Sequence, residues 1–337
     1  TYPPGIPLQF ALAGKLLGWT AGTLAVQLFA ALGALALCYL VARECGLDRW
    51  PAIAGAVILG LSPLFIFSSL QPLSDTGLPA AVWLGYYNHT LYGAATRSGY
   101  GDWYSSFAAE YFGPTALHFA HWLALLLPAA LLPAALVAGM MRPLRQRPLL
   151  GLAFWFGAVV GLYSFYSVAH EAWWCLRFIL PAFPPLIIAG LLTLQHLTSR
   201  WRSGGLVVSA LLVGWSALGS WHCTRQLGVL WTATYESAYH EAAETARRTL
   251  PPNALVVAGY ISGAIYFYTD LPMLRWDLVE PADFKRYAAT MAKAGRPVFA
   301  LVYEAEEKDA LAGHVRGDWT RIGTVRNIGL WRLNSPP

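Results

Sequence analysis

Six apolar segments, each close to the length needed to cross a bilayer, occupy the first two thirds of the sequence. They cover residues 21–41, 51–70, 117–141, 149–169, 178–197 and 206–221. A transmembrane helix needs roughly 20 predominantly apolar residues. Two shorter apolar segments are ambiguous: residues 6–17 fit an interfacial helix or the end of a span, and residues 78–87 are short for a crossing. The sequence therefore predicts a polytopic α-helical membrane protein.

Charged residues are few and unevenly placed along the chain. They make up 12% of it, and none occurs between Arg147 and Glu171. Globular domains typically carry about 25% charged residues. After Tyr235, Asp, Glu, Lys and Arg become frequent. We therefore predict a multi-span transmembrane domain over residues 1–230 and a soluble domain over residues 231–337.

The net charge of +5 does not indicate a nucleic-acid ligand. Nucleic-acid-binding domains cluster Lys and Arg on one face or stripe, whereas here these residues lie in short segments between apolar runs. The four cysteines have no metal-ligand spacing and do not indicate a redox compartment; they are Cys38, Cys45, Cys175 and Cys223. We expect membrane lipids as partners and no nucleic acid.

The arginines between the apolar segments predict the orientation of the chain. They form three short groups: Arg142 with Arg145 and Arg147, Arg200 with Arg202, and Arg43 with Arg49. Cytoplasmic loops are enriched in Lys and Arg, so these groups are predicted to lie inside and residues 71–77, 88–116 and 170–177 to form outer loops. The soluble domain is then extracytoplasmic, on the periplasmic or extracellular side of a bacterial cytoplasmic membrane.

This orientation leaves the number of crossings near residues 71–116 inconsistent. Segment 51–70 must end outside and segment 117–141 must begin outside, so an even number of crossings separates them. Only the short stretch 78–87 is available between them. Either that stretch is re-entrant, or spans that the protein usually has are absent.

The soluble domain alternates helical and strand patterns. Helical patterns cover residues 235–250, 262–268, 281–294 and 305–312, and strand patterns cover 254–259, 297–303, 319–325 and 329–333. The last two strands are predicted to form a hairpin. Alternation of helices and strands favours an α/β domain with a small, mostly parallel sheet.

Asp75 is the first candidate functional residue. It follows an apolar segment on the predicted outer side, where an ionisable group is costly and is a functional hypothesis by default. Ser74 and Asp75 would equally serve to cap a following helix, so a structural role stays open.

Arg177 is the second candidate, at the predicted outer start of segment 178–197. A guanidinium at that depth suits the phosphate or pyrophosphate of a lipid, which it can bind through two hydrogen bonds. The structural alternative is a cation–π contact with Trp173 or Trp174. His170 and Glu171 lie beside it and could bind a metal or carry a proton, although a pair alone is weak support.

A glycine- and aromatic-rich loop, SGYGDWY at residues 98–104, contains Tyr100 and Asp102. Its composition suits a loop that stacks on a sugar or closes over one. Trp and Tyr also collect at membrane interfaces, so both interpretations stay open. His118 and His121 are interpreted as interfacial polar groups rather than ligands.

Several short motifs, in the order in which they occur, resemble those of a known family. They are YPPG at 2–5, SP at 62–63 with PLSD at 72–75, LYG at 91–93 with SGYG at 98–101, and LRF at 176–178 with LPAFP at 180–184. Together they resemble the membrane glycosyltransferases of the C superfold (GT-C). Within it, the bacterial family-39 group is most similar, whose members resemble aminoarabinose transferases and protein mannosyltransferases.

The resemblance implies an inverting transferase that moves a sugar from a polyprenyl-phosphate-linked donor to a lipid or protein acceptor on the outer face. It implies that Arg177 neutralises the leaving phosphate and that Asp75 orients a sugar hydroxyl or the acceptor. The further candidate substrate-binding residues are Tyr2, Tyr100, Asp102, His170 and Glu171. No metal ligand is identified, and a divalent metal stays open as a cofactor.

In that family the acidic catalytic residues precede the element at which this chain starts. The resemblance therefore implies a chain truncated at its N-terminus and shortened inside, with Asp75 as the one catalytic candidate. Two other classes remain: a non-catalytic protein that binds lipid-linked sugars or assists assembly, and a transporter. The transporter is disfavoured because the apolar segments carry almost no charge near the predicted midplane.

Overall fold

In a computed structural model the chain is mostly helical, with a small sheet near its C-terminus. The structure describes residues 5–70, 86, 89–91, 93–94, 97–98, 101–102, 106–127, 146–201 and 203–335. Its internal contacts divide the chain into two compact units, Thr1–Leu230 and Trp231–Pro337. We call them the helical unit and the α/β unit.

The described α-helices of the helical unit are α1 Gly5–Leu17, α2 Trp19–Glu44, α3 Arg49–Leu61, α4 Pro63–Leu70, α5 Phe112–Leu126, α6 Gln146–Ser164, α7 Phe183–Leu197 and α8 Gly204–Gln226. Short 3-10 helices cover Ala109–Tyr111, Ser167–His170, Trp173–Ala182 and Val229–Trp231. Strands β1 Arg97–Ser98 and β2 Gly101–Asp102 pair antiparallel.

Three described helical segments are long and apolar enough to cross a membrane: Ala21–Glu44, Trp173–Leu197 and Gly204–Gln226. They contain the segments predicted at 21–41, 178–197 and 206–221. Of predicted segment 117–141, the structure describes only the part that lies in α5 and Leu127. The ambiguous stretch 78–87 lies outside the described residues apart from Tyr86.

The segment Trp173–Leu197 is the centre of the helical unit. In the most apolar 18-residue stretch of this segment 67% of the residues are buried, against 6% for Ala21–Glu44 and 17% for Gly204–Gln226. Helix α7 packs against α3 and α6. A helix that is apolar on every side is stable where other helices surround it, which explains why this segment has no polar face.

The predicted span 51–70 is not one straight helix. It is α3 and α4, which meet at an angle of 61°. Ser62 between them is extended, with φ −60° and ψ 127°, because the ring of Pro63 disfavours a helical conformation in the preceding residue. The last carbonyls of α3 lose their helical partners at such a break, and the carbonyl of Leu61 accepts a hydrogen bond from the Ser220 hydroxyl of α8.

The predicted span 149–169 is also too long at its C-terminal end. Helix α6 ends at Ser164, whose hydroxyl donates to the carbonyl of Val160 at 2.7 Å. The chain then leaves the helix because its backbone pairs elsewhere: Ala108 N–H donates to the Phe165 carbonyl at 3.0 Å, and Phe107 forms a bridge with Tyr166.

The α/β unit contains helices α9 Thr232–Thr249, α10 Ser262–Tyr268 and α11 Pro281–Lys293, a 3-10 helix Trp276–Leu278 and a π-helix Lys308–His314. Its strands are β3 Leu255–Ala258, β4 Met273–Arg275, β5 Val298–Tyr303, β6 Asp318–Val325 and β7 Ile328–Ser335.

The five strands form one sheet in the order β4-β3-β5-β7-β6. Strand β3 is parallel to β4 and β5, whereas β7 is antiparallel to β5 and β6. The expectation of a mostly parallel sheet is therefore wrong, since the terminal hairpin joins the same sheet. Strand β4 was not predicted, because three residues, MLR, carry no readable alternation.

A buried carboxylate joins the ends of the three mutually parallel strands. Glu306 is 4% exposed. Its Oε1 accepts hydrogen bonds from the Tyr260 backbone N–H at 3.1 Å and from Trp276 Nε1 at 3.0 Å, and its Oε2 accepts from the Tyr303 N–H at 3.1 Å. These donors follow or end β3, β4 and β5, so one side chain fixes the geometry of that edge.

Candidate functional site

A group of described polar and aromatic side chains, which includes two histidines and one arginine, lies at the start of the Trp173–Leu197 segment. Helix α5, the end of α6 and the 3-10 helices Ser167–His170 and Trp173–Ala182 contact one another there. We call the group the helix-end cluster; its members are Tyr111, Thr115, His118, Tyr163, Tyr166, His170, Arg177 and Phe178.

His170 is held by α5. Its Nδ1 lies 3.2 Å from the hydroxyl of Thr115, and its ring stacks with Tyr111 at a centroid distance of 6.2 Å. Thr115 is fully buried, and a buried hydroxyl needs a hydrogen-bond partner to offset its desolvation. The contact therefore fixes the orientation of the imidazole.

His118 holds the chain two residues beyond His170. Its Nε2 lies 3.1 Å from the carbonyl oxygen of Ala172. A carbonyl can only accept, so in this contact Nε2 carries the proton. Thr115 and His118 are one helical turn apart on α5, so one face of that helix positions the segment that leads into Trp173.

Arg177 lies inside the 3-10 helix Trp173–Ala182 and is half-buried. Its Cζ is 5.2 Å from the centroid of the Phe178 ring. Phe178 in turn stacks with Tyr163 at 5.5 Å and meets Tyr166 edge-on at 5.1 Å. The guanidinium therefore lies over the Phe178 ring, which is itself packed against Tyr163 of α6 and Tyr166 of the turn that follows it.

Two expectations about Arg177 need correction. The predicted outer loop 170–177 is not a loop throughout, because the 3-10 helix begins at Trp173. The cation–π contact that was the structural alternative is present, but its ring is that of Phe178 rather than Trp173 or Trp174. Trp173 instead packs edge-on against Phe67 of α4 at 5.0 Å and against Trp174 at 6.2 Å.

The predicted pair His170 and Glu171 is separated by the structure. His170 faces α5, whereas Glu171 is exposed. Within the residues that the structure describes, no three His, Cys, Asp or Glu side chains come close enough together to hold a metal ion.

Glu110 is an acidic group near the cluster that sequence reasoning did not select. Its hydrogen bond with Tyr111 and its negative charge raise the pKa of the Tyr111 phenol. Tyr111 also stacks on His170, so the Tyr111 ring connects the Glu110 carboxylate to the helix-end cluster. The sequence pattern that could have predicted this cluster is Thr115 followed one helical turn later by His118, two polar residues in a largely apolar helix.

The other candidates fall largely beyond the described residues. Tyr2, Asp75 and Tyr100 lie outside them. Asp102 is in β2, and its backbone pairs with Arg97, but its side chain is not among those described. The contribution of these four residues to a site with Arg177 stays a prediction.

The geometry can support recognition of an anion. A guanidinium keeps its positive charge at all physiological pH values and offers paired N–H donors to phosphate oxygens. Partial burial strengthens such contacts because water screens them less. The surrounding tyrosine rings add apolar surface and hydroxyl groups, a combination that suits an amphipathic ligand.

Comparisons with known proteins give one informative result. No protein-family model matches the sequence, and no curated protein matches it either. In three dimensions the chain is similar to a crystal structure of ArnT from Cupriavidus metallidurans bound to undecaprenyl phosphate, with a TM-score of 0.50 and 14% sequence identity. The similarity covers 98% of this chain and 87% of ArnT. At that identity the likeness shows the fold alone, and the fold is similar to that of ArnT.

Proposed function

We propose that this protein is a membrane glycosyltransferase that takes a sugar from a polyprenyl-phosphate-linked donor and transfers it to an acceptor on the outer face of the membrane. The observation that carries the proposal is the half-buried Arg177 guanidinium against the Phe178 wall, at the start of the most buried span. The likeness to ArnT, which was crystallised with undecaprenyl phosphate, supports it.

The reaction is a direct displacement at the anomeric carbon. An acceptor oxygen or nitrogen forms a bond to that carbon, and the bond from the carbon to the phosphate oxygen breaks. The bonding electrons leave with the polyprenyl phosphate, and the acceptor proton passes to a base. Attack opposite the leaving group inverts the configuration of the sugar.

Arg177 contributes to this reaction by stabilising negative charge. The phosphate gains charge as the bond to the sugar breaks, and a cation already in place lowers the barrier without having to reorganise. The guanidinium lies over the Phe178 ring, and Tyr163 and Tyr166 hold that ring in place. His170, fixed by Thr115 and Tyr111, is placed in the proposal as a hydrogen-bonding group beside the phosphate.

The remaining roles rest on the sequence motifs. Asp75 is the candidate that orients a sugar hydroxyl or accepts the acceptor proton. Tyr100 and Asp102 are candidates for contact with the sugar, and Tyr2 and Glu171 for substrate binding. The assignment to the family-39, aminoarabinose-transferase-like group, an outward-facing C-terminal domain and a bacterial cytoplasmic membrane belong to the same proposal.

The test is binding of undecaprenyl phosphate to the full chain in lipid nanodiscs, compared across three variants. Arg177→Ala is expected to weaken binding by roughly 10- to 100-fold, since a hydrogen bond to a charged group contributes about 1.5–3 kcal/mol. Arg177→Lys is expected to restore part of the affinity, because lysine keeps the charge but loses the two-donor geometry. Arg225→Ala is the matched control, because Arg225 also lies over an aromatic ring, that of Trp221, at 4.4 Å.

Equal binding by Arg177→Ala and the unaltered protein would contradict the proposal. Sugar transfer is measured on the same preparations with a sugar-charged polyprenyl phosphate. Binding that depends on Arg177 but is followed by no transfer would indicate the non-catalytic alternative, a protein that binds lipid-linked sugars.

A further inference from the structure

A cavity of about 790 Å³ opens at the opposite end of α7 from the helix-end cluster. It lies among the ends of α2, α3, α6, α7 and α8, and its lining includes Asp48, Trp50, Gln195, His196, Ser199 and Trp201. The two ends of the Trp173–Leu197 segment are roughly 40 Å apart, from about 2.0 Å per residue in a 3-10 helix and about 1.5 Å in an α-helix. The cavity is therefore a separate site, and the inference drawn from it does not rest on the proposed function.

The wall of the cavity is fixed by side-chain contacts. The Gln195 amide spans the turn between α2 and α3: its Oε1 accepts from the Asp48 N–H at 2.8 Å and its Nε2 donates to the Gly46 carbonyl at 3.2 Å. Arg43 donates to the carbonyl of Leu47 in the same turn at 2.6 Å. A ligand would thus meet a turn whose conformation is already set, which lowers the entropic cost of binding.

Asp48 is placed to meet a cation. It occupies the position before α3 where an aspartate normally accepts a hydrogen bond from the first turn of the helix. Here it makes no such side-chain bond, and it lines the cavity instead. Among the lining residues that the structure describes, none is Lys or Arg.

Two tryptophans and two of the nearby arginines add to the surroundings of the cavity. Trp50 and Trp201 line the cavity and are exposed, as is typical of tryptophan at the depth of lipid headgroups. The Arg49 guanidinium lies over the Trp50 ring at 5.7 Å. Arg200, also exposed, lies in the chain between the lining residues Ser199 and Trp201. Negative charge therefore lies in the cavity wall and positive charge beside it.

This arrangement discriminates between classes of lipid. Among the described lining residues, an anionic headgroup would meet the carboxylate of Asp48 and no Lys or Arg. A zwitterion with an ammonium group supplies a cation for Asp48 and the tryptophan rings, and its phosphate would have Arg49 and Arg200 as candidate partners, since both adjoin lining residues in the chain. A primary ammonium donates hydrogen bonds to the carboxylate, which a quaternary ammonium cannot do.

We propose that this cavity binds the headgroup of a phospholipid with a primary ammonium, phosphatidylethanolamine. Its volume is within the range of about 300–1,000 Å³ that is usual for small-molecule sites. The bound headgroup would join the turn at 45–48 to the turn at 198–201, and so stabilise the end of the central span.

The experiment is native mass spectrometry of the full chain in detergent, with phosphatidylethanolamine, phosphatidylglycerol or phosphatidylcholine of identical acyl chains added. Phosphatidylethanolamine is expected to be retained about tenfold more than the other two, a factor that corresponds to about 1.4 kcal/mol. Asp48→Asn is expected to abolish this preference. Glu44→Gln is the matched control, because Glu44 is an exposed acid at the end of α2 that does not line the cavity.

Equal retention of phosphatidylglycerol and phosphatidylethanolamine by the unaltered protein would overturn the proposal. So would an unchanged lipid preference in Asp48→Asn. If Asp48→Asn does not fold, Trp201→Ala provides the second variant, since Trp201 is 70% exposed and its removal leaves the packed core intact. Loss of the preference in Trp201→Ala supports the site, and an unchanged preference there contradicts it.

Discussion

The two units differ in the reach of the contacts made by some of their buried polar side chains. In the helical unit, three of the buried hydroxyls bond within their own helix: Ser164 to Val160, Thr193 to Ala189 and Ser216 to Leu212, each four residues earlier. In the α/β unit, Glu306 gathers donors from three separate parts of the chain. A bilayer offers no water to a stray polar group, so a helix in it must be self-sufficient, whereas an aqueous unit can use long-range polar contacts.

The exposed surfaces of the two units differ in the same sense. Leu218 on α8 and Leu278 in the α/β unit are exposed to nearly the same extent, 75% and 73%. The exposed residues around Leu218 on α8 include Leu211, Trp215 and Trp221. The α/β unit carries ion pairs on its surface, such as Arg247 with Glu244 at 2.8 Å and Arg286 with Asp283 at 2.9 Å. Side chains of equal exposure thus have different surroundings: apolar neighbours on α8, which suit contact with lipid, and charged neighbours in the α/β unit, which suit contact with water.

The largest effect is expected from Glu306→Ala. It removes the shared acceptor of three donors, and buried donors left without partners cost about 1–3 kcal/mol each. We expect the free energy of unfolding of the α/β unit to fall by about 3–5 kcal/mol. Urea-dependent pulse proteolysis of the purified chain measures it, with cleavage followed in the α/β unit.

Glu304→Ala is the control for this prediction. The Glu304 side chain is 61% exposed and pairs with Arg321 at 3.4 Å, and exposed pairs contribute about 0–1 kcal/mol. If the two substitutions destabilised the unit equally, Glu306 would not be the group that holds the strand ends together.

The second prediction compares a Leu→Asp substitution in α8, which is expected to face lipid, with the same substitution in the α/β unit, which is expected to face water. Leu218→Asp is expected to disfavour membrane insertion of α8 by about 2.5–3.5 kcal/mol, the cost of an aspartate near the centre of a span. Insertion is measured by glycosylation mapping in microsomes. Leu278→Asp is expected to change the stability of the α/β unit by less than about 0.5 kcal/mol, since it places a charge at an aqueous surface. A small effect at both positions would mean that α8 does not face lipid.

The smallest effect compares two closely packed glycines. A Cβ at Gly259 would lie 2.0 Å from Glu306 Oε1 and 2.2 Å from Trp276 Nε1, so Gly259→Ala is expected to cost about 1–3 kcal/mol. A Cβ at Gly55 would lie 3.1 Å from the end of the Leu191 side chain, which can move aside. Alanine is also favoured over glycine within a helix by about 1 kcal/mol, so Gly55→Ala is expected to be close to neutral. The measurement is the thermal unfolding of both variants in detergent. A larger loss of stability for Gly55→Ala than for Gly259→Ala would contradict this prediction.

Local features of the fold were readable from the sequence where a single physical term dominates. Helix α10 begins and ends at the predicted residues. Helix α11 begins at the predicted Pro281, because proline favours the first turn of a helix, and it ends one residue before the predicted end. The apolar segments likewise identify α2, α7 and α8. The position of Pro63 was readable, but its consequence, a bend of 61°, depends on how the two halves pack.

The candidate site was less predictable because its contacts join distant parts of the chain. Arg177 was selected from its position, but the tyrosines that pack against its partner ring Phe178 come from the end of α6 and from the turn after it, at Tyr163 and Tyr166. That end was predicted five residues too late, since the pairing with Phe107 and Ala108 that terminates it is not local. Sequence periodicity reports burial along one element and carries no information about such pairings.

The bend at Pro63 gives α3 and α4 two different neighbours. Helix α3 lies along α7 and α8, whereas α4 turns so that Phe67 packs against Trp173, four residues before Arg177. An unbroken helix would carry the eight residues of α4 about 12 Å farther along the axis of α3. The bend at Pro63 thus allows one apolar segment to pack against two parts of the central span. Helix α3 contacts α7, and α4 contacts the 3-10 helix that carries Arg177.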